Sequence, residues 1–234
     1  MSTAMRAAPA SAPEMVLANA RLVLPDAVVT GSLAIREGRI ADMAEGGGVP
    51  AGARDCEGAL LMPGLVELHT DNLEKHLRPR PGVEWPRAAA VLAHDGEIAA
   101  AGITTVCDAV RVGTLTEGAA GFETVAYARA VTDDIRRLAR ASALRVDHLL
   151  HLRAELCSHT VLEELDSFGR EDEVRIVSVM DHTPGQRQFA DESKYRQYYQ
   201  GKHGLTDAEM DAFVARTKAL SADLGAAHEA EPAG

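Results

Sequence analysis

Cysteine is scarce in this chain: Cys56, Cys107 and Cys157 are its three, and no two stand close enough to form a Cys-x-x-Cys pair. That excludes a disulfide framework and a cysteine-based zinc site, leaves the thiols as small buried hydrophobes, and fits a reducing cytoplasm. Basic residues are also in short supply, 24 against 35 acidic ones, for a formal net charge of −11. Such a balance excludes a general binder of nucleic acid or of an anionic membrane, so any anion site must be local. No apolar run reaches the roughly 18 residues that a bilayer span needs. Residues 1–13, rich in Ala, Ser and Pro, lack the charged start and continuous apolar centre of a signal peptide and are expected to form a flexible tail. A phosphate-binding P-loop is missing too, because Arg196 stands where the first glycine ahead of Gly201-Lys202 would be.

What is present is enough apolar matter, 46% of 234 residues, for one globular domain, or one domain with a small appendage. Residues 14–61 carry short apolar runs (Val16-Leu17, Leu22-Val23-Leu24, Val28-Val29, Leu33-Ala34-Ile35) broken at Pro25-Asp26, Glu37-Gly38 and Gly46-Gly47-Gly48. This spacing predicts a small β-sheet. From residue 62 to 234 the pattern changes. A strand opened by Pro63-Gly64 leads to a proline-rich loop, Arg78 to Trp85, and then to a helix from Pro86 to Gly102. A second strand, Ile103 to Cys107, finishes at Asp108; a helix is expected from about Phe122 to Ala141, and a third strand from Val146 to Leu156. Thr160 and Glu163 have the spacing of a capping box, Val174 to Met180 reads as a fourth strand, and Thr206 with Glu209 opens a final helix. Alternating strands and helices imply parallel pairing, so the fold class is α/β, a partial TIM-like (β/α) barrel preceded by a small β-sandwich segment.

The chemistry gathers at strand ends. In Leu65-Val66-Glu67-Leu68-His69-Thr70-Asp71, side chains two apart share a face, so Glu67, His69 and Asp71 point one way. An imidazole and a carboxylate aimed at one spot suit a divalent metal, although an ordinary hydrogen-bonded pair explains them as well. On the third strand His151, Arg153 and Glu155 share a face, and charged groups on a buried strand need partners, which makes them site candidates; a structural Arg153–Glu155 pair is the plainer reading. His182 follows the fourth strand, just ahead of the Pro184-Gly185 turn.

The string MPGLVELHTD resembles the first barrel strand of the amidohydrolase superfamily, with Asp71 in place of the usual second histidine. That departure, together with Asn72-Leu73-Glu74-Lys75-His76, Arg78-Pro79-Arg80-Pro81-Gly82-Val83-Glu84-Trp85-Pro86 and Ala101-Gly102-Ile103-Thr104-Thr105-Val106, resembles one branch, the alpha-D-ribose 1-methylphosphonate 5-triphosphate diphosphatases of the carbon-phosphorus lyase pathway. The resemblance implies one or two divalent ions, zinc, manganese or similar, held by His69, Asp71, Glu155 and His182, with Glu155 as the bridging carboxylate. It also implies that residues 14–61 are half of a composite β-sandwich and that the substrate is a phosphorylated ribose phosphonate. Candidate phosphate contacts are Lys75, Arg78, Arg80, Arg153 and Arg187, with Lys194, Arg196 and Lys202 as further, more ordinary surface charges.

The resemblance requires two further ligands, a histidine from the next strand and an aspartate from the last, and this sequence has no strand end for either; His203 and His228 fall in helix or loop patterns. A whole barrel takes about 250 residues, against roughly 170 after the β segment. A truncated enzyme, a homo-oligomer or a complementing C-terminal chain is therefore expected. Two other readings stand beside the diphosphatase: hydrolysis of a carbon-nitrogen bond, and a non-catalytic fragment.

Overall fold

The computed structural model describes residues 14–80, 83–113, 126–185 and 190–225. The chain divides into two compact units, Met1–Gly64 and Leu65–Gly234. The expected tail, residues 1–13, lies outside the described residues, as does the start of the helix expected at Phe122.

The first unit is a five-stranded sheet. Strands β1 (Met15–Val23), β2 (Val28–Arg36) and β3 (Arg39–Glu45) form an antiparallel meander, while the two-residue strands β4 (Arg54–Asp55) and β5 (Leu60–Leu61) pair with β1 in parallel. Gly31 lets β2 lie close to β3, since a Cβ there would stand 2.5 Å from the Ala44 carbonyl oxygen.

In the second unit, β6 (Leu65–Thr70), β7 (Ile103–Val112), β8 (Asp147–Glu155) and β9 (Val174–Met180) make a four-stranded sheet in sequence order, with every neighbouring pair parallel. Helices α1 (Asn72–Leu77) and α2 (Arg87–Ala100) connect the first two strands, α3 (Ala126–Arg140) lies between the next two, and α4 (Val161–Asp166) precedes β9. Consecutive parallel strands with a helical return after each are the repeating unit of a βα barrel. The core joins one face of the sheet to the helices: Val110, Val112, Leu150, Leu152 and Ala154 pack with Val91, Val131, Ile135 and Leu138. On the outermost strands, Leu65, Val66 and Leu68 of β6 and Val177 and Val179 of β9 remain exposed. The helices α5 (Glu192–His203) and α6 (Asp207–Leu220) pack on each other through Tyr195, Met210, Phe213 and Val214.

Two sequence expectations need correction. The second barrel strand continues four residues past Asp108 to Val112, because Ala109, Val110, Arg111 and Val112 keep pairing with His151 to Ala154. The Thr160–Glu163 capping box does not form: Thr160 itself has helical dihedrals, φ −101° and ψ −6°, and its hydroxyl donates instead to Glu164 Oε1 at 2.7 Å. The second box does form. Thr206 is extended and accepts from the Glu209 amide, while Glu209 Oε2 accepts from the Thr206 amide at 2.8 Å. Thr206→Ala is expected to lower stability by about 1 kcal/mol, read as a shift of the urea midpoint.

A forked ion pair ties α3 to the turn before β9. Arg129 donates through Nη1 to Asp172 Oδ2 at 2.8 Å and through Nη2 to Asp172 Oδ1 at 2.6 Å, with its guanidinium 4.9 Å from the Phe168 ring. The Arg129 guanidinium holds the Asp172 carboxyl below its ordinary 3.8. Asp172→Ala is expected to cost about 1.5–3 kcal/mol at neutral pH. A carboxylate with a depressed pKa stabilises the fold above its unfolded value, and the contribution disappears as pH falls through the folded one. The gap between the parent chain and the variant should therefore narrow as the pH falls below 3.8. A gap that keeps its size throughout acid titration would contradict the ion pair.

Candidate metal and phosphate site

The carboxyl ends of β6, β8 and β9 bring ionisable groups together on the face turned away from the helices. Leu150, Leu152 and Ala154 take the helix side of β8, so His151, Arg153 and Glu155 take the other. At the β6 end, His69 Nδ1 lies 3.3 Å from His151 Nδ1, and His151 Nε2 meets the Ser178 hydroxyl at 2.8 Å. Two ring nitrogens at that distance share at most one proton. Burial, with some help from His69 and Arg153, lowers the pKa of His151 and keeps it a neutral donor.

Asp71 sits at the start of α1, where its carbonyl accepts the Glu74 amide. Its carboxylate is 3.9 Å from an Arg153 nitrogen, the outer limit of an ion pair. With Asp71 57% exposed, this contact contributes little by itself.

At the β8 end, Glu155 is wholly buried and accepts from both the His182 backbone amide and His182 Nδ1. Gly113 makes room for this end of the sheet: its φ is +87°, and a Cβ there would come within 3.1 Å of the Glu155 carbonyl oxygen. Beside Glu155 is a feature the sequence reading passed over. Cys157, taken for a small buried hydrophobe, lies with Sγ 3.3 Å from both Asp181 Oδ1 and Thr183 Oγ1. Burial pushes its thiol up to about 11. Glu155, Cys157 and Asp181 present ligand atoms within 4.8 Å of one another. The available signal was position alone, two residues beyond Glu155 and one before His182.

Glu155 and His182 are thus brought together, and Asp71 is brought near Arg153. Among the described residues, the side-chain groups converging within 4.8 Å as a potential ligand set are Glu155–Cys157–Asp181 and a second set on the opposite face of the sheet, and neither includes His69 or Asp71. The donors present, imidazole nitrogen and carboxylate oxygen with one thiol near by, fit a borderline divalent ion.

The phosphate candidates divide. Lys75 is exposed on α1, Arg80 is exposed in the loop that follows it, and Arg153 is half-buried on β8, two residues before Glu155. Arg78 is engaged by Glu84 at 3.2 Å, and Arg196 by Glu192 and Asp211. Arg187 lies outside the described residues, as does the side chain of Lys202.

The second set sits between α2 and the sheet. His94 Nε2 meets Asp108 Oδ1 at 2.8 Å, and His148 Nδ1 meets Asp108 Oδ2 at 2.7 Å. His148 Nε2 in turn lies 3.4 Å from Asp95 Oδ1, an oxygen that also accepts from the Arg145 and Val146 amides. Burial by itself would raise Asp108 and lower His148. The two imidazoles nevertheless hold Asp108 low, and the two carboxylates hold His148 high. Sequence pattern gave no warning of this set, because its members are 14 and 40 residues apart on three elements.

No protein-family model matches the chain. Over 208 residues, 89% of its length, it is 44% identical to the alpha-D-ribose 1-methylphosphonate 5-triphosphate diphosphatase of Escherichia coli (strain K12). The chain spans about half of that relative, 54% of its length. This is the similarity that the MPGLVELHTD motif and its neighbours carry. Among solved structures, it resembles a D-hydantoinase at 21% identity and a TM-score of 0.44, covering 79% of this chain and 36% of that one. It also resembles the L-hydantoinase of Arthrobacter aurescens at 14% identity and a TM-score of 0.46, covering 90% of this chain and 51% of that one. Among the described residues no helix is long and apolar enough to cross a membrane.

Proposed function

We propose that this chain supplies the first half of a metal-dependent diphosphatase that cleaves alpha-D-ribose 1-methylphosphonate 5-triphosphate to the 5-phosphate and diphosphate. The observation that carries the proposal is the 44% identity over 89% of the chain to a protein of that name. The relative's name also favours phosphorus over a carbon-nitrogen bond as the centre attacked. His69, Asp71, Glu155 and His182 are the residues that would hold one or two divalent ions, zinc or manganese, with His151 orienting His69 from β8, two strands away in the sheet. When bound, such ions supply Lewis acidity at phosphorus and bring the pKa of water toward about 7.

The chain's own groups perform the rest. Glu155 accepts the His182 Nδ1 proton, fixing which ring nitrogen of His182 is left to coordinate. Arg153 lies 3.9 Å from Asp71 on the same face of β8 as Glu155, where a guanidinium can take two oxygens of the triphosphate and offset the charge that develops as diphosphate leaves. Lys75 and Arg80 are exposed and are proposed as further phosphate contacts, Arg78 joins them by exchanging Glu84 for phosphate, and Arg187, outside the described residues, is proposed from the sequence alone. The chain spans 54% of the relative, so the strands that complete the site are sought in the rest of the relative's length. The three free thiols suit a reducing cytoplasm.

The test is diphosphate release from the ribose triphosphate with added manganese or zinc. It is run with the purified chain alone and with the chain mixed with a polypeptide matching the relative's second half. Metal-dependent release that disappears with His69→Ala is the expected result. A folded, metal-loaded and completed sample that releases no diphosphate overturns the proposal.

A further inference from the structure

We propose that His94, Asp108 and His148 bind a divalent ion of the zinc class, as a closed structural site between α2 and the sheet, distinct from the ligands at the strand ends. The inference is independent of the activity proposed above.

All three side chains are buried, with His94 and His148 at 0% and Asp108 at 1% exposure, and their ligand atoms lie within 4.8 Å of one another. Two imidazoles and one carboxylate that turns a separate oxygen to each of them give up to four donors, the number that zinc prefers in a structural site. His148 has the surroundings of a metal ligand. With Nδ1 directed at the centre, its Nε2 faces Asp95, and Asp95 is held in turn by the Arg145 side chain at 2.9 Å and by the two amides named above. A carboxylate behind a coordinating imidazole fixes the ring and its tautomer.

Hydrogen bonds alone account for the cluster less well. Two acceptors face His148, which must then be an imidazolium buried against two carboxylates, while His94 Nδ1 finds no partner. Apolar side chains of the same volume would fill this layer without the cost of dehydrating these charges. A divalent ion replaces the two protons directed at Asp108 and neutralises the buried carboxylates in one step. No thiol belongs to the set, so its bound ion differs spectroscopically from one held near Cys157.

The experiment uses the full chain carrying His69→Ala and His182→Ala, dialysed against cobalt or zinc and then counted for bound metal. One ion per chain should be retained. Cobalt should show visible ligand-field bands without the near-ultraviolet thiolate band. Zinc at about 100 times its Kd should raise the melting temperature by about 5–10 °C. Adding His148→Gln should abolish retention, and Asp95→Asn should weaken binding about 10–100-fold. If His148→Gln does not fold, His94→Gln replaces it, and circular dichroism checks both. A folded chain that retains no ion, a thiolate band, or retention that survives both substitutions overturns the proposal and leaves a proton-held network.

Discussion

Asp108→Ala is expected to remove about 3–5 kcal/mol of stability from the chelator-treated chain, the largest loss foreseen for any single side chain here. Asp108 is 1% exposed and receives His94 on one oxygen and His148 on the other. Truncating it leaves two imidazoles facing a void inside a helix-sheet layer, with no solvent to take their protons. The measurement is the urea midpoint at unchanged slope, so that the loss is not confused with a change in the unfolded ensemble. A companion variant separates cost from benefit. Replacing His94, Asp108 and His148 together by Leu, Leu and Met is expected to leave stability within about 1 kcal/mol of the parent, or above it, because the dehydration cost goes along with the hydrogen bonds. A loss under about 1 kcal/mol for Asp108→Ala would show that the cluster is already open to water.

Under the proposed diphosphatase function, Arg153→Gln is expected to reduce diphosphate release by about 10²–10³-fold while leaving the urea midpoint almost unmoved. Two observations set this contrast. The pairing of Arg153 with Asp71 is at its limit, 3.9 Å with the carboxylate 57% exposed, so little folding energy depends on it. The same half-buried guanidinium stands on the face of β8 turned away from the helices, two residues before Glu155, where charge stabilisation counts for more than it does at the surface. Arg153→Lys should recover only part of the rate, since an ammonium cannot make the forked contact. Unchanged turnover in Arg153→Gln would remove this residue from the phosphate site. A fall in stability as large as the fall in rate would reassign it to structure.

The sequence determined by itself whatever depends on local period and on punctuation. Alternation along residues 147–155 separated the helix-side leucines from His151, Arg153 and Glu155, because a strand turns alternate side chains to opposite faces. The four parallel strands followed from the strand-helix rhythm, and the Thr206 cap from a spacing of three. The motif around His69 and Asp71 carried the likeness later found at 44% identity. Only the tertiary structure decided which distant groups meet. Periodicity assigned Asp108 to a strand end, whereas pairing with β8 carries the strand on to Val112 and leaves Asp108 inside it, against His94 from α2 and His148 from β8. It likewise placed Cys157 beside Asp181, and it turned the Thr160 hydroxyl from the Glu163 amide to Glu164. Spacing along the chain governs which face a side chain takes. What it meets there is set by the packing of elements far apart in sequence, and no local pattern encodes that.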